Sequence, residues 1–147
     1  MLSVLYPNMR FQTEVFHQDH IHPASRFHEA QFAKLGLSQE QRSHWLKHRD
    51  TVANLQFLQG RVNQEKGASP LMEWMKRMPE ADRANFSNAN YFPEGVGLEF
   101  AKFEEFHQKR KEIMRGKLRE ELAIASELSR AQLDDREELE EINDEEA

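Results

Sequence analysis

VANLQFLQGRVNQEKG, residues 52–67, is the stretch on which the fold turns. Its first half, ANLQFL at 53–58, is a short apolar run of strand length that Gly60 interrupts. GRVNQEKGA then reads as a short helix, so strand and helix follow one another with almost no linker. Upstream, FQTEVFH at 11–17 alternates in part and reads as an earlier strand, which leaves FHQDHIHP at 16–23 on its outgoing end. Between the two lie SRFHEAQFAKLGL, with Phe27, Phe32 and Leu35 at helical spacing and Gly36 as a stop, and SQEQRSHWLKHRD, where Ser38 and Gln41 form a capping-box pattern. The expectation is two strands with a helical insertion over 25–50 between them and a helix directly after the second.

Further out the pattern is simpler. Residues 2–6 read as a short strand or extended segment broken by Tyr6-Pro7-Asn8, and Ser69-Pro70 as the start of a helix over LMEWMKRM. Residues 79–97, with Pro79, Pro93, Gly95, Gly97 and three Asn, read as loop. A long helix should run from 98 to 133, because Phe103, Phe106, Ile113, Met114, Leu118, Leu122, Ala125 and Leu128 recur at intervals that make one stripe. The fold class is therefore α+β and mostly helical. It comprises a small core over 1–97, a long C-terminal helix over 98–133 packing on it, and a disordered acidic tail over 134–147.

Composition narrows the chemistry. At 147 residues there is room for one ordinary domain, and 38% hydrophobic against 31% charged residues, with a mean hydropathy of -0.86, makes it globular but polar. No apolar run reaches the roughly 20 residues that span a bilayer. The opening MLSVLYP is too short and too poor in basic residues for a signal peptide, so the expected compartment is the cytoplasm. The absence of cysteine excludes disulfides, a thiol nucleophile and thiolate-bound zinc. The net charge of -6 is uneven: DDREELEEINDEEA at 134–147 holds nine acids and one base, which leaves residues 1–133 at +2. A mildly basic body keeps nucleic acid open as a partner.

The densest group of reactive side chains is in FHQDHIHP. In an extended segment His17 and Asp19 share one face while His20 and His22 share the other. An adjacent Asp and His suit metal-dependent phosphodiester cleavage, since the carboxylate is a hard ligand for Mg²⁺ and a neutral imidazole can take a proton from water. The same cluster also suits plain surface residues or a zinc site.

The second stretch adds specificity. D-H-I-x-P at 19–23, N-L-x-x-L at 54–58 and N-x-x-K at 63–66 together resemble the ββα-metal motif of the HNH endonucleases. The flanking wording resembles the C-terminal nuclease domain of GmrSD-like modification-dependent restriction proteins, over roughly residues 3–110. That resemblance implies Asp19 and Asn63 as ligands of Mg²⁺ or Mn²⁺, His20 as general base and Asn54 as the residue holding the loop that bears His20. It also implies that Lys66 could contact a phosphate; beyond the resemblance, Arg61, His22 and His17 are further candidates for contact with DNA phosphate, His17 alternatively completing the metal shell. Many HNH proteins also carry two CxxC pairs for a structural zinc, and this chain has none. The implied function is DNA cleavage to 5′-phosphate and 3′-hydroxyl ends in restriction or anti-phage defence, alongside a ParB-like NTP-hydrolysing subunit or domain. The alternatives are a non-catalytic zinc-binding interaction module built on the His cluster, and an RNase of the same fold.

Overall fold

Strand β1, Phe16–His20, pairs antiparallel with strand β2, Leu55–Gln59, in a two-stranded sheet. The computed structural model describes residues 5–6, 9–10 and 13–145, with side chains as far as 130. Register sets Asp19 opposite Gln56 and His20 opposite Leu55. β1 begins five residues later than its apolar pattern suggests, because the amides of Thr13 and Glu14 both turn back to the Arg10 carbonyl. The expected segment at 2–6 lies largely outside the described residues, and Leu5 and Tyr6 are buried rather than in a strand.

Between the strands lie helices α1, Glu29–Lys34, and α2, Gln39–His48. Gly36 ends the first excursion at a φ of 67°, and Ser38 and Gln41 make both hydrogen bonds of the capping box that starts α2. Phe27, Phe32 and Trp45 form a small aromatic cluster with Phe103. Helix α3, Gly60–Lys66, starts on the residue after β2, so Gly60 opens a helix as well as ending a strand.

Helices α4, Leu71–Arg77, and α5, Glu80–Ala89, follow. α5 occupies most of the segment expected to be loop. Pro79 precedes its first residue and Glu80 and Asp82 lie in its first turn, which favours a helix start, and Phe86 packs against Trp74 and Phe92. The prolines and asparagines of this stretch sit at its ends or on its outer face, so local propensity lost to tertiary packing.

Helix α6 runs Phe103–Glu145, starting after a 3₁₀ turn at Phe100–Lys102, and so continues through most of the acidic segment expected to be a disordered tail. The chain divides into two compact units, Met1–Met114 and Arg115–Ala147, with the boundary inside α6. In the first unit Phe103, Phe106, Arg110 and Met114 are buried, and Phe106 joins a core of Ile21, Leu58, Leu71, Trp74 and Phe92. Arg110 is fully buried: it donates to the carbonyls of Asn90 and Val52 and to the Tyr6 hydroxyl. The second unit is helical, with an i,i+4 pair between Lys117 and Glu121 and with Leu122, Ile124 and Leu128 exposed. Among the described residues no helix is long and apolar enough to cross a membrane.

Candidate nuclease site

The end of β1 delivers two neighbours into different environments, because successive side chains leave a strand on opposite faces. Asp19 turns toward α3. Its Oδ2 accepts from Lys66 Nζ at 2.7 Å and from Gln56 Nε2 at 3.0 Å, and Lys66 also donates to the His20 carbonyl at 2.7 Å. The Lys66 side chain is 0% exposed and its ammonium lies 5.9 Å from the Trp74 ring centroid. Lysine is seldom buried unless paired, and this one is paired. Its place is thus inside the site wall, neutralising Asp19, and the expectation of a direct phosphate contact does not fit an ammonium with no exposed surface.

His20 turns the other way, toward the end of α2. Its Nε2 lies 2.8 Å from Asp50 Oδ1, and Arg49 grips the same carboxylate through Nε and Nη2. Hydrogen bonds from Arg49 and His20 hold the Asp50 carboxyl down at about 2, so it is a carboxylate at any working pH. An ionised carboxylate only accepts, so Nε2 carries the proton and Nδ1 of the neutral ring is left as the basic nitrogen. His20 remains part-exposed, its side chain 31% accessible.

Asn54 ties the two neighbourhoods together. It sits in the 3₁₀ turn Val52–Asn54 just ahead of β2, one residue short of the strand on which it was expected, and it is fully buried. Its Oδ1 accepts from the His22 amide at 2.9 Å, and its Nδ2 donates to the carbonyls of His22 at 3.1 Å and Arg49 at 2.8 Å. The Ile21 amide adds a bond to the Asn54 carbonyl. One side chain thereby fixes the backbone just beyond His20 to the backbone just before Asp50.

The remaining expected residues scatter. Asn63 lies one turn before Lys66 on α3, half-buried, and its side chain has no hydrogen-bond partner among the described residues. Arg61 is exposed and pairs with Glu65 along the helix. His17 is exposed on β1, with its ring beside Gly60, where an added Cβ would come within 3.4 Å of Nε2. His22 is 1% exposed and its ring packs against Phe100, Phe103 and Phe106. Burial, aided by the Lys66 charge, lowers its pKa to about 3, so His22 is a neutral core residue with no surface to offer a phosphate, contrary to expectation.

Three histidines of 17–22 therefore meet three different surroundings and do not converge. Among the described residues no three His, Cys, Asp or Glu side chains come together as a metal cage. By chemistry Asp19 and Asn63 are both oxygen donors of the kind a hard cation takes: Asp19 Oδ1 has no hydrogen-bond partner among the described residues, and neither has the Asn63 side-chain amide. Sequence reasoning missed Asp50, Arg49 and Gln56. Only Gln56 had a signal, as the residue a strand pairing could set opposite Asp19. Outside this cluster, His107 is buried beside His48, and burial, with the charges of His48, Lys111, His44 and Arg110, lowers its pKa to about 4. The chain matches no protein-family model and no curated protein.

Proposed function

We propose that this chain is an HNH-type, metal-dependent DNA endonuclease. The observation that carries the reading is the strand–strand–helix unit itself. An Asp-His pair ends β1, β2 lies antiparallel to it, and the helix that follows without a linker brings Lys66 back against Asp19. Nothing in the packing of a plain surface hairpin calls for a buried ammonium under an aspartate beside a part-exposed imidazole.

In this reading Asp19 and Asn63 hold Mg²⁺ or Mn²⁺, which when bound polarises the phosphoryl group and offsets charge on the leaving oxygen. Lys66 fixes Asp19 in orientation and withdraws one of its carboxylate oxygens from competition. His20 takes the proton of the attacking water on Nδ1 as the new P–O bond forms and the bond to the 3′ oxygen breaks; the leaving 3′ oxygen takes a proton from solvent, giving a 5′-phosphate and a 3′-hydroxyl. Asn54 holds the backbone on both sides of that imidazole. Arg61 and His17 are exposed cationic and polar groups at the same edge and serve the phosphate backbone, so binding falls steeply with salt. The setting is cytoplasmic restriction or anti-phage defence, with a ParB-like NTP-hydrolysing partner.

The test uses the full chain with supercoiled plasmid and with RNA, each in Mg²⁺, Mn²⁺, Zn²⁺ and chelator. We expect plasmid nicking in Mg²⁺ or Mn²⁺ that chelator abolishes, and a loss of about 100-fold or more in His20→Ala with the fold intact. Cleavage of RNA alone replaces DNA by RNA as substrate. No cleavage in any metal, with zinc needed for folding, overturns the enzyme reading.

A further inference from the structure

We infer that Asp50 is a positioning residue for His20, setting which imidazole nitrogen faces the attacking water; the inference rests on the endonuclease reading. A His side chain on the last residue of a strand has two free torsions and two nitrogens, and only one nitrogen at a time can act as base. Asp50 Oδ1 at 2.8 Å from Nε2 removes that choice. It accepts a hydrogen bond from the Nε2–H, which leaves the lone pair on Nδ1, and it stabilises the imidazolium formed when that lone pair takes a proton. The Nε2 proton stays on the ring throughout and Asp50 stays ionised, so the net transfer is one proton from water to Nδ1.

The carboxylate is built to stay in place. Two nitrogens of Arg49 fork onto it, with Nε at 3.0 Å from each oxygen and Nη2 at 2.7 Å from Oδ2, so its torsion is set independently of His20. The turn that carries it is held at three points. Thr51 Oγ1 bonds to the His48 carbonyl at 2.8 Å, Asn54 Nδ2 to the Arg49 carbonyl at 2.8 Å, and Arg110 Nη1 to the Val52 carbonyl at 3.0 Å. A carboxylate more than half exposed contributes little to stability through such pairs, so its anchoring is better explained by what it orients than by the energy it adds.

The experiment compares wild type with Asp50→Ala, Asp50→Asn and Asp50→Glu on two readouts. One is steady-state plasmid cleavage with kcat and KM resolved. The other is the ¹⁵N shifts of the His20 ring, in the neutral ring, with no nucleic acid or metal added. We expect kcat to fall about 10- to 100-fold in Asp50→Ala with KM within twofold, a smaller loss in Asp50→Asn, and partial recovery in Asp50→Glu. The two ring nitrogens should move toward each other in Asp50→Ala as the single tautomer gives way to a mixture. Either readout standing still in Asp50→Ala overturns the inference, and Asp50→Asn decides the matter should the alanine variant fail to fold. A wild type that cuts neither nucleic acid sinks the endonuclease reading alone, and the ring shifts still decide whether Asp50 sets the imidazole.

Discussion

Asp19 and His20 are covalent neighbours with opposite circumstances. Asp19 faces a buried ammonium and a buried amide, in a network closed to solvent on one side. His20 faces an exposed carboxylate that is itself held by an exposed guanidinium. Strand alternation alone places them apart, and the dielectric does the rest. The difference teaches that one half of the site is also a structural element, whereas the other can be altered without touching the fold.

The sharpest way to break that contrast is Lys66→Ala. It leaves the Asp19 carboxylate and the His20 carbonyl without their shared donor, and removing one partner of a buried pair costs about 3–5 kcal/mol. Asp19 keeps some solvent access, so the lower end is expected, read from urea unfolding. The reverse change, Asp19→Ala, strands the ammonium and should also destabilise, so Asp19→Asn is the better test of the proposed metal role. Loss of under about 1 kcal/mol in Lys66→Ala would mean that the pair is not buried in solution.

The next effect concerns acid, and it extends the contrast by two residues to His22. His22 and His107 are held neutral by the fold, near 3 and near 4, against 6.5 for an unperturbed imidazole. Between those limits the unfolded chain binds protons that the folded chain refuses, so stability is full above pH 6.5 and falls as the pH drops through the window. The slope is about 1.4 kcal/mol per histidine per pH unit, and neither group contributes further below about pH 3. Urea midpoints from pH 7 to pH 4 measure it. His22→Phe should remove roughly half the slope, and an unchanged slope would exclude His22 as its source.

The smallest stability effect belongs to His20→Ala, at about 0.5 kcal/mol or less, since an exposed pair is lost and nothing is buried unpaired. Its far-UV spectrum and urea midpoint should match wild type while cleavage collapses. A midpoint shift comparable to that of Lys66→Ala would erase the asymmetry between the two neighbours.

Period and punctuation made β2, α1, α2 and α3 legible in the sequence, and the Ser38–Gln41 box is where it was expected. The helix at 80–89 was not legible, because Pro79 marks a helix start as readily as a loop and only Phe86 packing decides between them. At the site, Asp19 and His20 stood out by type and adjacency. The burial of Lys66 did not, since lysine carries a strong expectation of exposure that only a partner 47 positions upstream overrides. Asp50 was hidden for a related reason: its contact spans 30 residues and depends on how α2 ends, which no local pattern encodes.

Asn54 makes the assembly of the site observable without any substrate. The His22 amide donates to its side chain and the Ile21 amide to its carbonyl, so both exchange with solvent only when the turn before β2 parts from the end of β1. Those two protons are native reporters of whether the end of β1 that carries His20 is docked on the turn before β2, and their exchange rates would grade every variant by how often the two come apart.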